Sequence, residues 1–202
     1  MAVPLRRSAS TPTPTPAAEP DVTGTVERLR ATFDAGTTTD LAWRKRQLRA
    51  VAALVKEHEE DLCAALAADL GKPPFDTWLT ELHLVKDEAG HALAHLDGWA
   101  KRQGRGVAAI AQPAKAWLEP QPVGVVLIIA PWNYPVQLLL APAVAALAAG
   151  CAMVLKPSEL APATSALLAE LIPQYLDPEA VTVIEGGVEV TTELLSSGGT
   201  TS

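Results

Sequence analysis

From residue 23 to residue 103, apolar positions recur every three or four residues, the period of a helix with one buried face. Val26, Leu29 and Phe33 share such a face, and Gly36 supplies a stop. Asp40 is placed to cap a longer helical stretch. Its apolar positions Leu48, Val51, Val55, Leu62, Leu66 and Leu70 step by 3, 4, 7, 4 and 4, and Gly71-Lys-Pro-Pro ends it. A third helix is predicted over residues 77–100, with Trp78, Leu82, Val85, Ala89, Leu93 and Leu96 on one side.

After Gly104 and Gly106 the period changes. Residues 115–119 read as a short strand with mixed sides. Val123-Gly-Val-Val-Leu-Ile-Ile-Ala130 is apolar on both faces, as a buried parallel strand must be. Residues 135–149 are helical in composition, with Pro135 suited to the first turn, Gly150 to the stop and Pro142 predicting a kink. Residues 152–155 form a second strand. A helix follows from Pro162 to Tyr175, with a bend predicted at Pro173, and then a third strand over residues 181–184, closed by Gly186 and Gly187. Strand, helix, strand, helix, strand is the order of a parallel sheet with helices on its faces. Residues 188–195 begin another helix.

The fold class this predicts is α/β: a helical amino-terminal region, residues 23–103, followed by part of a Rossmann-like parallel sheet, residues 104–195. Residues 1–22, rich in Pro and Thr, and the polar residues 196–202 read as disordered tails. Composition excludes several functions. The net charge of -7 is poorly suited to coating a nucleic-acid backbone. The amino terminus lacks the apolar core of a secretory signal, and the longest apolar run is too short to span a bilayer. These features predict a cytoplasmic protein with neither nucleic-acid partner nor membrane span. The two cysteines, Cys63 and Cys151, are too far apart in sequence for a short-spaced zinc motif and read as buried reduced thiols.

Candidate chemistry lies where open α/β sheets bind ligands, at the carboxyl ends of the strands. One such end carries Ala130-Pro-Trp-Asn-Tyr-Pro135, a turn held between two prolines. The Asn133 amide there either donates to an oxyanion formed at a neighbouring carbonyl carbon or only satisfies backbone groups of the turn. The other carries Leu155-Lys-Pro-Ser-Glu159, where a lysine and a glutamate suit a diol such as a ribose, or a solvated loop whose Ser158 caps a helix. Neither G-x-G-x-x-G nor G-x-x-x-x-G-K-[ST] follows a strand. Asp87, His91 and His95 share a helical face, which reads better as a solvated surface with an Asp87–His91 pair than as a metal site.

These two strand ends resemble motifs of the aldehyde dehydrogenase superfamily: Val123-Gly-Val-Val-Leu-Ile-Ile-Ala-Pro-Trp-Asn-Tyr-Pro135 and Ala148-Ala-Gly-Cys-Ala-Met-Val-Leu-Lys-Pro-Ser-Glu159, in the same order and at the same separation. The resemblance runs from about Val26 to Leu195. Ala64-Ala-Leu-Ala-Ala-Asp-Leu-Gly71, Leu171-Ile-Pro-Gln-Tyr-Leu176 and Glu185-Gly-Gly-Val-Glu-Val-Thr-Thr-Glu-Leu-Leu195 are similar to its class 3 branch. The resemblance implies NAD(P)-dependent oxidation of an aldehyde to a carboxylic acid, with NAD or NADP as cofactor. It makes Asn133 an oxyanion-hole residue. It makes Lys156 and Glu159 the holders of the adenosine ribose, with Ser158 beside them. Ile129, Ala130, Pro131 and Trp132 become walls along the cofactor, and Gly187 lies near the adenine.

Departures from the family pattern accompany the resemblance. Cys151 stands where the family commonly has Asn and is not the nucleophile position. The segments that carry the nucleophilic cysteine, the general-base glutamate and the fourth strand of the cofactor domain have no counterpart here. The chain therefore reads as a truncated, amino-terminal form with an open sheet edge, marginal or prone to aggregate when alone. The alternatives are a non-catalytic NAD-binding module, or a protein that pairs with its own copy, a full-length homologue or a separately encoded second half.

Overall fold

A computed structural model of the chain describes residues 20–197. Helix α1 spans Val22–Asp34, capped by Asp21, whose carboxylate accepts the Gly24 N–H at 2.9 Å. The tail expected to run through residue 22 thus ends sooner. Val22 is fully buried, because α1 lays Val22, Val26 and Leu29 against Ala152, Val154 and Ile184 of the sheet. Residues 1–19 lie outside the described region.

Asp40 caps α2, Leu41–Glu57, accepting the Ala42 and Trp43 N–H groups at 3.2 and 2.9 Å. The predicted continuous helix breaks at His58, and α3 follows as Glu59–Leu70. There the backbone leaves helical geometry (φ -113°, ψ 28°), while the His58 ring meets Asp61 at 2.9 Å and the Tyr175 hydroxyl at 3.1 Å. Gly71, with φ 65°, ends α3. The third predicted helix divides into α4, Pro74–Thr77, a π-helical segment, Trp78–Leu82, and α5, His83–Trp99.

Strands β1, Gln103–Arg105, and β2, Ala116–Leu118, pair antiparallel, with every residue exposed rather than one side buried. The doubly wound part follows: β3, Val125–Ile129; α6, Gln137–Ala149; β4, Ala152–Lys156; α7, Pro162–Tyr175; β5, Val181–Val183; and α8, Val188–Ser197. Helices α6 and α7 continue through exposed Pro142 and Pro173. Helix α8 takes in Ser196 and Ser197, expected as tail; residues 198–202 lie outside the described region.

The three strands are parallel in the order β3-β4-β5. Central β4 is buried at every residue. The wholly apolar β3, expected to be buried on both faces, is an edge strand and only half-buried, beside a 390 Å³ groove lined by Val26, Phe33, Val125, Leu127 and Leu194. One apolar core joins α2, α3, α5, α6 and α7 to Met153 and Leu155 of β4. The Trp43 indole donates to Asp177 at 2.8 Å, and Gln47 accepts the Asp177 N–H at 2.9 Å, tying α2 to the loop before β5. Among the described residues no helix is long and apolar enough to cross a membrane.

Candidate functional site

Parallel strands end on the same side, so the loops after β3, β4 and β5 gather along one edge. Ile129 pairs with Lys156, and the next residue, Ala130, donates its N–H to the Lys156 carbonyl at 3.0 Å. That bond sets the turn holding Asn133 beside the loop holding Glu159. Ala130 and Pro135 are buried, whereas Pro131, Trp132, Asn133 and Tyr134 are exposed. The turn is anchored by buried residues at both ends and open between them.

The Asn133 side-chain amide has no hydrogen-bond partner among the described residues. Stability comes from elsewhere. Lys72, just past α3, donates to the Asn133 carbonyl at 3.4 Å and places its ammonium 4.0 Å from the centre of the Tyr134 ring. Its own partner is Glu81, fully buried, which also accepts the N–H groups of Val136 and Gln137 at 2.9 and 3.2 Å. Neither Lys72 nor Glu81 stands out in the sequence, because a charge on an amphipathic helix usually marks its solvated side.

Lys156, only 2% exposed, donates to Glu159 at 2.6 Å. That bond, and next the Glu159 backbone N–H, hold the exposed Glu159 carboxyl below the usual carboxylate range. Glu159 is therefore ionised at neutral pH, an acceptor set beside a donor. Ser158 is buried, and its hydroxyl accepts the Leu160 N–H at 3.2 Å. It does not cap α7, which starts at Pro162. Asp69 of α3 does so from across the core, accepting the Ala163 and Thr164 N–H groups at 3.0 and 2.7 Å.

After β5, Glu185 accepts a hydrogen bond from the Ser165 hydroxyl at 2.6 Å. Gly186 adopts φ 148°, and a Cβ there would lie 2.6 Å from the Val190 side chain. Gly187 has open space at the same position, and its carbonyl accepts the Thr191 N–H at 3.1 Å, starting α8.

Other expected groups lie elsewhere. Asp87 pairs with His83 at 3.3 Å rather than with His91, whose ring lies tilted against that of His95 with centroids 4.2 Å apart. Among the described residues no three His, Cys, Asp or Glu side chains gather as a metal site. Cys151 is buried at 2% exposure, as expected. Cys63 is only half-buried, because it sits at the rim of α3, where burial and then the Glu59 charge push its thiol pKa up. Alkylation followed by peptide mass spectrometry should label Cys63 first, with Cys151 at least about tenfold slower until denaturant is added. Equal native rates would contradict this packing.

The sequence matches the profile of the Aldehyde dehydrogenase family over residues 8–200. It is 44% identical over 170 residues to aldehyde dehydrogenase family 3 member H1 of Arabidopsis thaliana, covering 84% of this chain and 35% of that protein. It is 43% identical over 170 residues to the dimeric NADP-preferring aldehyde dehydrogenase of Canis lupus familiaris, covering 84% and 38%. The structure superposes on the substrate-bound AldH of Staphylococcus aureus with TM-score 0.83 and 35% identity, over 85% of this chain and 38% of that one. The chain thus spans little more than a third of the length of these relatives. On the profile match and these identities, it belongs to the aldehyde dehydrogenase family.

Proposed function

We propose that the edge formed by the β3 and β4 loops holds a nicotinamide dinucleotide and orients an aldehyde carbonyl, within an NAD(P)-dependent oxidation of an aldehyde to a carboxylic acid. The observation that carries this reading is the Ala130 N–H bond to the Lys156 carbonyl, which sets an unengaged amide beside a donor–acceptor pair. The residues fit the cofactor by their chemistry. A buried ammonium and an ionised carboxylate offer one donor and one acceptor, the set that a ribose diol takes up. Lys156 and Glu159 would hold those hydroxyls, with Ile129, Ala130, Pro131 and Trp132 along the same edge and Gly187 toward the adenine. The buried Ser158 would brace that loop. Residues 104–195 then form the cofactor layer, with residues 23–103 as its helical cover.

The nicotinamide, when bound, supplies the hydride acceptor for the oxidation. Asn133 has a separate task. A neutral side-chain donor stabilises charge developing on the aldehyde oxygen without giving up a proton. Trp132 and Tyr134 flank it in the sequence.

Titrating the chain with NAD+ and with NADP+, followed by Trp fluorescence, tests the reading. Lys156→Ala should weaken binding by about tenfold or more, as expected for a charge-assisted hydrogen bond, and Asn133→Ala should leave it within about threefold. An ionised Glu159 opposes a ribose 2′-phosphate, so NAD+ should bind the tighter of the two. Wild-type binding that Lys156→Ala leaves untouched would remove the ribose assignment.

A further inference from the structure

We propose that Glu81 is a positioning residue for Asn133, setting where its amide sits by holding the turn that carries it. The proposal rests on the oxyanion reading of Asn133 given above.

Three observations converge on Glu81. It lies in the π-helical segment Trp78–Leu82, the one π-helical stretch among the described residues, inside an otherwise α-helical run. Such a turn inserts an extra residue and shifts the helix phase, and its use is concentrated where a side chain must point in an unfavoured direction. Here adjacent Glu81 and Leu82 are both fully buried.

A buried carboxylate must be balanced by donors and an opposite charge. Every balancing group belongs to the Asn133 turn or touches it. The N–H groups of Val136 and Gln137, three and four residues past Asn133, donate to one carboxylate oxygen. The Lys72 ammonium meets the other, donates to the Asn133 carbonyl and covers the Tyr134 ring. Helix α6 has no side-chain cap of its own at Val136, so Glu81 caps it from another element.

The Asn133 amide has no hydrogen bond among the described residues. Where that amide sits therefore depends on the backbone that carries it, which is held at two places. One is the Ala130 bond to Lys156 on the sheet side. The other is the Glu81 and Lys72 grip on the helix side. A charge-neutral replacement at position 81 releases the second hold while leaving the sheet intact.

The test uses the full 202-residue chain, with side-chain and backbone amides resolved by 15N NMR. In Glu81→Gln, the Val136 and Gln137 amides should exchange about tenfold or more faster, while Val85 and Ala89 of α5 stay within about twofold. The Asn133 backbone amide and its paired side-chain signals should shift or broaden. Lys72→Met supplies a second variant, since it removes no buried acceptor and should disturb the same Asn133 signals if Glu81→Gln does not fold. Unchanged Asn133 signals in the folded variant overturn the proposal. So does a uniform rise in exchange across α5 and α6, because that marks an ordinary core residue. If Glu81→Gln disturbs Asn133 but Asn133→Ala leaves turnover of a complete enzyme intact, the oxyanion reading falls while the Glu81 grip stands. The reverse pair of results removes Glu81 alone.

Discussion

Asn133→Ala should lower kcat by about a hundredfold to a thousandfold once these residues are joined in frame to the remaining portion of a family 3 relative. The loss should fall on turnover, with nucleotide affinity within about threefold, because the ribose groups rest on Lys156 and Glu159 rather than on the turn. The size follows from preorganisation. The turn that carries the amide is already held at Ala130 and at Val136, so its backbone has little reorganisation left when charge develops on the substrate oxygen. Steady-state production of NAD(P)H, measured with saturating nucleotide, separates the outcomes. A variant that keeps kcat within about threefold while binding nucleotide normally would return Asn133 to a residue without chemical work.

Much of the sheet half was legible in the sequence because its signals are local. The apolar run from Val123 to Ala130, the stop at Gly150 and the strand over residues 152–155, which the structure extends to Lys156, each define an element without reference to the rest of the chain. Other features depend on tertiary contacts. The break at His58 is invisible because Val55 and Leu62 stand two helical turns apart, so the periodicity runs on unbroken while the chain changes direction. The β1–β2 pair exposes both faces and leaves no alternation to detect. The position of β3 at the sheet edge cannot be read from its composition, since an edge strand under α1 and a central strand are equally apolar. Val22 looked like the last residue of a polar tail. Only its burial against β4 makes it the start of a helix.

The candidate site divides the same way. Asn133, Lys156 and Glu159 were legible because each is a polar residue at or just past the end of a strand. Glu81, Lys72, Asp69 and Ser165 were not, because each reaches the edge from another element. A carboxylate at position 81 between Thr80 and Leu82 matches the sequence of any solvated helix face. Its burial follows from the π-helical segment, and no residue type announces that phase shift. What pattern shows is a polar group at a strand end; the groups that hold it in place still require three dimensions.

A polypeptide of these 202 residues, purified alone, should turn over no aldehyde with NAD+ or NADP+. Covalent oxidation needs a thiolate within bonding reach of a carbonyl held at Asn133, and a base to activate water afterwards. Neither thiol qualifies. Cys151 precedes β4, so the whole strand, about 17 Å at the usual rise per residue, separates it from the carboxyl edge. Its residue is 2% exposed. Cys63 lies on α3, with its sulfur 3.9 Å from the Pro74 carbonyl and its pKa raised, which keeps it protonated and weakly nucleophilic. The carboxylates near the edge are also committed: Glu159 to Lys156, Glu185 to the Ser165 hydroxyl, and Glu81 to Lys72 and two backbone N–H groups. The expected result is nucleotide binding without accumulation of NAD(P)H. Sustained NAD(P)H formation that co-elutes with the chain and disappears in Cys63→Ala or Cys151→Ala would show that one of these thiols reaches the edge, and the separation of Asn133 from both would be wrong.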